Sequence, residues 1–126
     1  ELDRRRASHR PAALIAMHSF TPVFKGMTRP WHAGVLYRDP RFAHLLMALL
    51  KREAGLLVGD NEPYSVTDAS DYTIPVHGER RGLHHVAIEI RQDLIAGADG
   101  QREWGALLAR LLPQAYERLI SLEVAK

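Results

Sequence analysis

The chain has 126 residues, of which 46% are hydrophobic and 25% are charged, a composition typical of one globular domain with a buried core. The absence of cysteine excludes disulfide bonds, thiolate metal ligands and a cysteine nucleophile. A formal charge of +2, with both signs mixed along the chain, argues against a nucleic-acid partner. The sequence shows no apolar stretch of membrane-spanning length and no signal peptide, so we expect a soluble, cytoplasmic protein without a membrane partner.

The first apolar run leads to a histidine. Residues 12–17 form a short, continuously apolar run, and Thr21-Pro22 marks the end of the segment. This pattern predicts a strand buried on both faces of a parallel sheet. We expect His18 at the carboxyl end of this strand, where open α/β sheets bind ligands. The alternative is a structural histidine that caps the strand through a backbone hydrogen bond.

A strand–helix–strand unit follows a long predicted loop at residues 19–32. Residues 34–37 predict a short strand, and Asp39-Pro40 supplies an N-cap and a first-turn proline for a helix that stops by Gly55. Residues 56–58 then complete the unit, which is typical of a parallel sheet.

A carboxylate lies inside the next apolar strand. Residues 61–83 are polar, with an extended piece predicted at 72–76, and residues 86–91 then alternate as a strand does. Val86, Ile88 and Ile90 face one way, and Ala87, Glu89 and Arg91 face the other. Burying a carboxylate in such a strand costs free energy unless the charge has a partner. Glu89 is therefore either a functional residue or part of an ion pair with Arg91.

The last element spans residues 99–124, which predict a helix with one apolar face. We expect Pro113 to kink this helix or to divide it in two. Its apolar face comprises Trp104, Leu107, Leu108, Leu111, Ala115 and Leu119.

His18, Glu89 and two arginines form the candidate site. A neutral histidine can bind zinc, and a nearby carboxylate can take a proton from a metal-bound water. Arg29 and Arg91 could hold a substrate carboxylate or a developing oxyanion.

Four segments in order resemble the C-terminal half of the N-formylglutamate amidohydrolase family, over residues 10–120. The segments are His18-Ser19-Phe20-Thr21-Pro22, Asn61-Glu62-Pro63-Tyr64, residues 72–78 and residues 85–91. The first and last are also distantly similar to zinc carboxypeptidases. The resemblance implies a three-layer α/β fold of the zinc-carboxypeptidase and phosphorylase/hydrolase type, with a mostly parallel or mixed central sheet flanked by helices.

The resemblance also implies a zinc-dependent amidohydrolase that cleaves the N-acyl amide of an acidic amino acid. The type substrate is N-formyl-L-glutamate, which gives formate and glutamate. In this scheme His18 is a zinc ligand and Glu89 is the general base. The implied substrate-binding residues are Asn61, Tyr64 and Arg91, to which we add Arg29 and His77 from loop position and charge.

The sequence departs from the carboxypeptidase pattern in its metal ligands. A catalytic zinc takes three protein ligands as a rule, and none of the seven histidines has a glutamate three residues later. We therefore expect residues 1–126 to form a single domain that is the C-terminal part of a larger domain. A missing N-terminal half or a partner chain would supply the other ligands and cover exposed sheet edges.

Two other functional classes stay open. The basic loops could belong to a non-catalytic anion-binding α/β module, which needs no metal. An interaction domain without a small-molecule site would instead bury His18 and Glu89 far apart. A separation of more than roughly 10 Å would exclude a metal-bound water shared by the two residues.

Overall fold

A computed structural model of the protein describes residues 1–63 and 73–124. The helices are α1 (Leu2–Ala7), α2 (Pro40–Lys51) and α3 (Ala98–Val124), with a π-helical segment at Thr73–Glu79 and a 3₁₀ turn at Gln92–Ile95. The strands are β1 (Ala13–Phe20), β2 (Val23–Phe24), β3 (Met27–Thr28), β4 (Ala33–Leu36), β5 (Val58–Asp60) and β6 (His84–Arg91).

The main sheet has four strands in the order β1-β6-β4-β5. β6 is parallel to β1 and antiparallel to β4, whereas β4 and β5 are parallel. The sheet is therefore mixed, and the carboxyl ends of β1 and β6 lie at the same edge as the amino ends of β4 and β5. This arrangement confirms the predicted α/β class with a mixed central sheet.

Helices α2 and α3 cover one face of the sheet. The predicted alternation of β6 is confirmed, because Val86, Ile88 and Ile90 pack into the core beneath these helices. Ala87 points to the opposite face, where it joins Ile74 of the π-helical segment in a second, smaller cluster. Fully burying one leucine or phenylalanine side chain stabilises a fold by about 1.5 to 3 kcal/mol, so the helix-covered face holds most of the packing energy.

The predicted strand–helix–strand unit is present as β4-α2-β5. Asp39 caps α2 by accepting a 3.0 Å hydrogen bond from the backbone N–H of Arg41, and Pro40 occupies the first helical position. The helix ends at Lys51, and Gly55 follows in the left-handed conformation with φ +79°. The second strand begins at Val58, two residues later than predicted.

The end of β1 differs from the prediction in two respects. The strand continues to Phe20, so His18 lies inside it rather than at its end. Met17, His18 and Ser19 are exposed because β1 is an edge strand of the described sheet, not a strand buried on both faces.

The predicted loop at 19–32 contains a hairpin, β2–β3. Lys25 and Gly26 form its two-residue turn with φ values of +49° and +76°, which match the twist of a tight hairpin. The turn makes this segment a short projecting element beside the end of β1.

The predicted extended piece at 72–76 is wrong for residues 73–76, which are π-helical, whereas Tyr72 lies outside the described residues. The π-helical segment packs against β1 and β6. Gly78 permits this approach, because a Cβ there would lie only 2.9 Å from the Cβ of His85. Tertiary packing therefore determines the conformation of this segment.

Pro113 does not divide the last helix. α3 is continuous from Ala98 to Val124. Pro113 and Ala109, whose carbonyl loses its helical partner, are both exposed, so water can satisfy that carbonyl. Among the described helices, none is long and apolar enough to cross a membrane.

Candidate functional site

His18 and Glu89 are neighbours across two parallel strands. The β1–β6 pairing places His18 directly opposite Glu89, and adjacent strands lie about 5 Å apart. Paired residues point to the same face of a sheet, so the imidazole and the carboxylate emerge side by side. His18 is exposed and Glu89 is half-buried. This arrangement contradicts the interaction-domain alternative, in which the two residues would be far apart.

Two glycines continue the row on the other side of Glu89. Gly34 of β4 pairs with Glu89, and Gly59 of β5 pairs with Gly34. A Cβ at Gly34 would clash with the backbone carbonyl of Glu62, and one at Gly59 would lie 2.7 Å from that same oxygen. The chain at Glu62 therefore lies directly on the sheet beside Glu89, which it could not do over larger residues.

Asn61 holds the start of this segment. Its backbone adopts a left-handed conformation with φ +53°, which asparagine tolerates well. Its side-chain oxygen accepts a 2.9 Å hydrogen bond from the N–H of Tyr37, and its own N–H donates to the carbonyl of Val35. Asn61 thus positions the Glu62 segment on the sheet. The predicted substrate residue Tyr64 lies outside the described residues.

Arg91 anchors the loop before β4. Its guanidinium pairs with Asp93, with an Nε–Oδ1 distance of 2.6 Å, and donates to the carbonyls of Pro30 and Trp31 at 3.2 and 3.4 Å. The hydrogen bond from Arg91 holds the pKa of Asp93 below its usual range. The carboxylate that this guanidinium contacts was not predicted, although Asp93 follows the strand by only two residues.

Arg29 ties the hairpin to the end of β1. Its side chain is buried, with the guanidinium carbon 4.6 Å from the centre of the Phe24 ring and 6.0 Å from that of Phe20. Such cation–π contacts stabilise by about 0.5 to 2 kcal/mol. Phe20 pairs with Arg91 in the sheet, so both predicted arginines lie at the edge where β1 and β6 end.

His77 lies on the π-helical segment, on the same side of the sheet as Glu89, and is half-buried. His85, to which we assigned no role, is almost fully buried at the other end of β6. Its Nε2 accepts hydrogen bonds from the N–H groups of Arg38 and Asp39, at 3.2 and 3.1 Å, and its Nδ1 donates to the carbonyl of Leu83. His85 therefore has a structural role, because it links the start of β6 to the backbone at the start of α2.

A second polar cluster lies at the other end of the strands, where β4 and β5 finish. The hydroxyl of Tyr37 donates a 2.6 Å hydrogen bond to Oδ1 of Asp60. The Nε2 of His44 lies 3.0 Å from the Tyr37 hydroxyl oxygen. The hydrogen bond to Asp60 raises the pKa of Tyr37 to about 12. This cluster joins α2 to the carboxyl ends of β4 and β5 and is separate from the His18 edge.

A catalytic zinc site needs several donor side chains close together. Within residues 1–63 and 73–124, no three His, Asp or Glu side chains are grouped so that they could hold a metal ion. His18 would therefore contribute one ligand only. The described residues do not by themselves fit a complete catalytic zinc site.

The mixed sheet defines an α/β protein in which a histidine and a glutamate are paired near the carboxyl ends of two neighbouring strands. A family model described as N-formylglutamate amidohydrolase matches residues 1–96. The chain belongs to the N-formylglutamate amidohydrolase family, and the resemblance inferred from its segments is confirmed.

A solved structure extends this result. The gene product Atu2144 from Agrobacterium tumefaciens is 34% identical in sequence, with a TM-score of 0.87. The match covers 94% of this chain and 47% of that one, so the chain spans about half the length of this structural relative. No curated protein matches the chain.

Proposed function

We propose that the chain provides the general base and one metal ligand of an amidohydrolase that cleaves the N-acyl amide of an acidic amino acid. N-formyl-L-glutamate is the proposed substrate, and formate and glutamate are the products. Residues 1–126 would then form the C-terminal part of a larger catalytic domain. The family assignment supports the class of reaction, and the pairing of His18 with Glu89 is the observation that carries the proposal.

Glu89 is suited to move a proton. In the proposed reaction its carboxylate takes one proton from the water that attacks the formyl carbon. It then gives this proton to the amide nitrogen as the carbon–nitrogen bond breaks, so that formate and the free amino acid leave. A positioned base of this kind contributes a factor of about 10² to 10⁴ to the rate.

His18 is suited to bind zinc, because its imidazole is exposed on the same face as Glu89. A bound zinc would polarise the carbonyl and lower the pKa of its water to roughly 7. The remaining ligands would come from outside the described residues, for which we propose the half of the family fold that this chain does not cover.

The substrate is an anion, and the proposed site carries cations at the same edge of the sheet. Arg91 and Arg29 fix the loop and the hairpin that border His18. We propose that they place positive charge near the substrate carboxylates, with Asn61, Tyr64 and His77 lining the rest of the site.

The test is formate release from N-formyl-L-glutamate by the natural gene product that contains this chain, together with its zinc content by elemental analysis. Glu89→Gln should keep the zinc and lower kcat by a factor of about 10² to 10⁴. His18→Ala should lose both the zinc and the activity.

Matched controls are available in the same chain. Glu117→Gln and His44→Ala change exposed residues on the helices that cover the other face of the sheet and should leave zinc content and activity unchanged. Full activity in Glu89→Gln would overturn the assigned base. A gene product that binds no zinc, even when zinc is supplied, but still binds N-formyl-L-glutamate would favour the non-catalytic anion-binding module.

A further inference from the structure

The outer edge of β1 carries the features of an interface. In the part of the chain that the structure describes, β1 pairs with β6 alone, so its other edge presents unpaired backbone N–H and C=O groups. We use the name β1 surface for this edge together with the side chains of Ile15 and Met17 and the groove beside them.

The sequence of β1 is that of an interior strand. Natural edge strands are kept short, or carry prolines and charges that prevent further pairing. β1 has eight residues, Ala13–Phe20, with no proline, lysine, arginine or carboxylate among them. The opposite edge strand, β5, has three residues and ends at Asp60.

The side chains beside this edge are apolar and only partly covered. Met17 pairs with Ile88, which is fully buried beneath the helices, yet Met17 itself is 48% exposed. The helical layer that covers β6 therefore stops short of β1 at this level. An apolar residue in mid-strand on the core side of a sheet is normally covered by another element.

A groove continues the same face. It has a volume of about 500 Å³ and lies between α1, β1 and α3, with a lining that is mainly apolar. The side chains that matter are Ile15 from β1, Phe42 from α2, and Leu112 and Tyr116 from α3. A strand beside β1 would extend the sheet, and a helix attached to that strand could pack along this groove.

The length of the structural relative identifies the occupant. Atu2144 has roughly as much chain outside the matched region as inside it, since the match covers 47% of its length. We propose that the β1 surface binds a β-strand and a packed helix from the other half of the family fold, carried by the same natural polypeptide. His18 projects from this strand, so the same contact would bring the other half next to the candidate site.

Methionine oxidation can test this with internal references. Met27 is 73% exposed on the hairpin and Met47 is 4% exposed in the core, while Met17 reports on the β1 surface. The natural gene product is treated briefly with hydrogen peroxide, and the three rates are read by mass spectrometry, with the urea-unfolded protein as the fully exposed reference. Because oxidation follows exposure, Met17 should react much more slowly than in the unfolded protein and close to the rate of Met47.

Each outcome decides the proposal, and none depends on catalytic activity. Oxidation of Met17 at a rate near that of Met27 would overturn it, because the β1 surface would then be open to solvent. Protection of Met17 that disappears on dilution, together with a dimeric mass, would assign the surface to a second copy and overturn the proposed occupant.

A matched pair of substitutions gives an independent test. Met17 and Leu57 are equally exposed at 48%, but Leu57 directly precedes β5, the strand on the far side of the sheet from β1. In the natural gene product, Met17→Glu should lower the thermal unfolding midpoint, because it places a charge inside the proposed interface, and Leu57→Glu should leave it unchanged. Equal midpoints for the two variants would contradict the proposal.

Discussion

Asp39 combines two local roles at the start of α2. It caps the helix and its carboxylate pairs with the Arg41 side chain, with an Oδ1–Nε distance of 3.0 Å. The hydrogen bond from the Arg41 side chain lowers the pKa of Asp39 from 3.8 to about 2. Because the folded pKa lies below the ordinary value, this carboxylate stabilises the fold above about pH 4, and the contribution is lost as the pH falls toward 2.

We expect Asp39→Ala to lower the free energy of unfolding by about 1 kcal/mol at pH 7, since it removes the helix cap. Asp39→Asn should lower the free energy of unfolding by less, because asparagine caps helices nearly as well as aspartate. The remaining loss comes from the pairing with Arg41, which asparagine cannot make. Urea unfolding between pH 7 and pH 2 checks both expectations. The Asn variant and the unmodified protein should converge in stability between pH 4 and pH 2, and equal stability of Ala and Asp at pH 7 would contradict the capping role.

Individual site residues could be predicted only as far as local patterns reach. The two-residue alternation of 86–91 correctly put Glu89 on the face opposite Val86. The pairing of Glu89 with His18 depends on the β1–β6 register, which joins positions 71 residues apart and has no local signal. The contact between Arg91 and Asp93 was missed because it forms only where the chain turns after β6.

At the scale of elements, the row of paired residues His18, Glu89, Gly34 and Gly59 shapes the candidate site. The two glycines let the Glu62 segment lie on the sheet, and the backbone oxygen of Glu62 cannot move aside as a flexible side chain could.

We expect Gly34→Ala to destabilise the protein by about 1 to 3 kcal/mol, because the added methyl overpacks this contact. It should also reduce formate release, since the displaced segment lies beside Glu89. Gly105→Ala is the control: it faces open space in α3 and should stabilise by about 0.5 to 1 kcal/mol. Thermal unfolding and the formate assay measure both effects, and a Gly34→Ala protein of unchanged stability would contradict the described packing.

Elements with local signals were predicted better than elements formed by packing. The start of α2 follows from Asp39 and Pro40, which act within one helical turn. The β2–β3 hairpin has a local signal in Gly26, between two pairs of residues with strand propensity, but the surrounding prolines suggested a loop. The π-helical segment depends on Gly78 against His85, a contact between elements that no local pattern predicts.

The whole molecule is organised around β6, which has a strand on each side and helices over one face. Hydrogen exchange should therefore be slowest in the β6 amides, whose exposure requires global unfolding. In the isolated 126-residue chain, we expect faster exchange in α1, where no residue is buried, and at the outer edge of β1. Exchange measured by mass spectrometry, with the slow β6 peptides as reference, checks this order. Protection of β1 equal to that of β6 in the monomeric chain would contradict it.

The sequence separation between β1 and β6 also matters while the protein is being made. Ala13 pairs with His84, so most of the chain must leave the ribosome before the two strands can meet. At synthesis rates of about 5 to 20 residues per second, β1 stays unpaired on its β6 side for roughly 4 to 14 s. An apolar, uncharged strand that waits this long is exposed to aggregation, and slower translation between the two strands lengthens the risk. The arrangement that places His18 beside Glu89 thus leaves β1 without its β6 partner during synthesis, and we expect the yield of folded protein to fall when translation between the two strands is slowed.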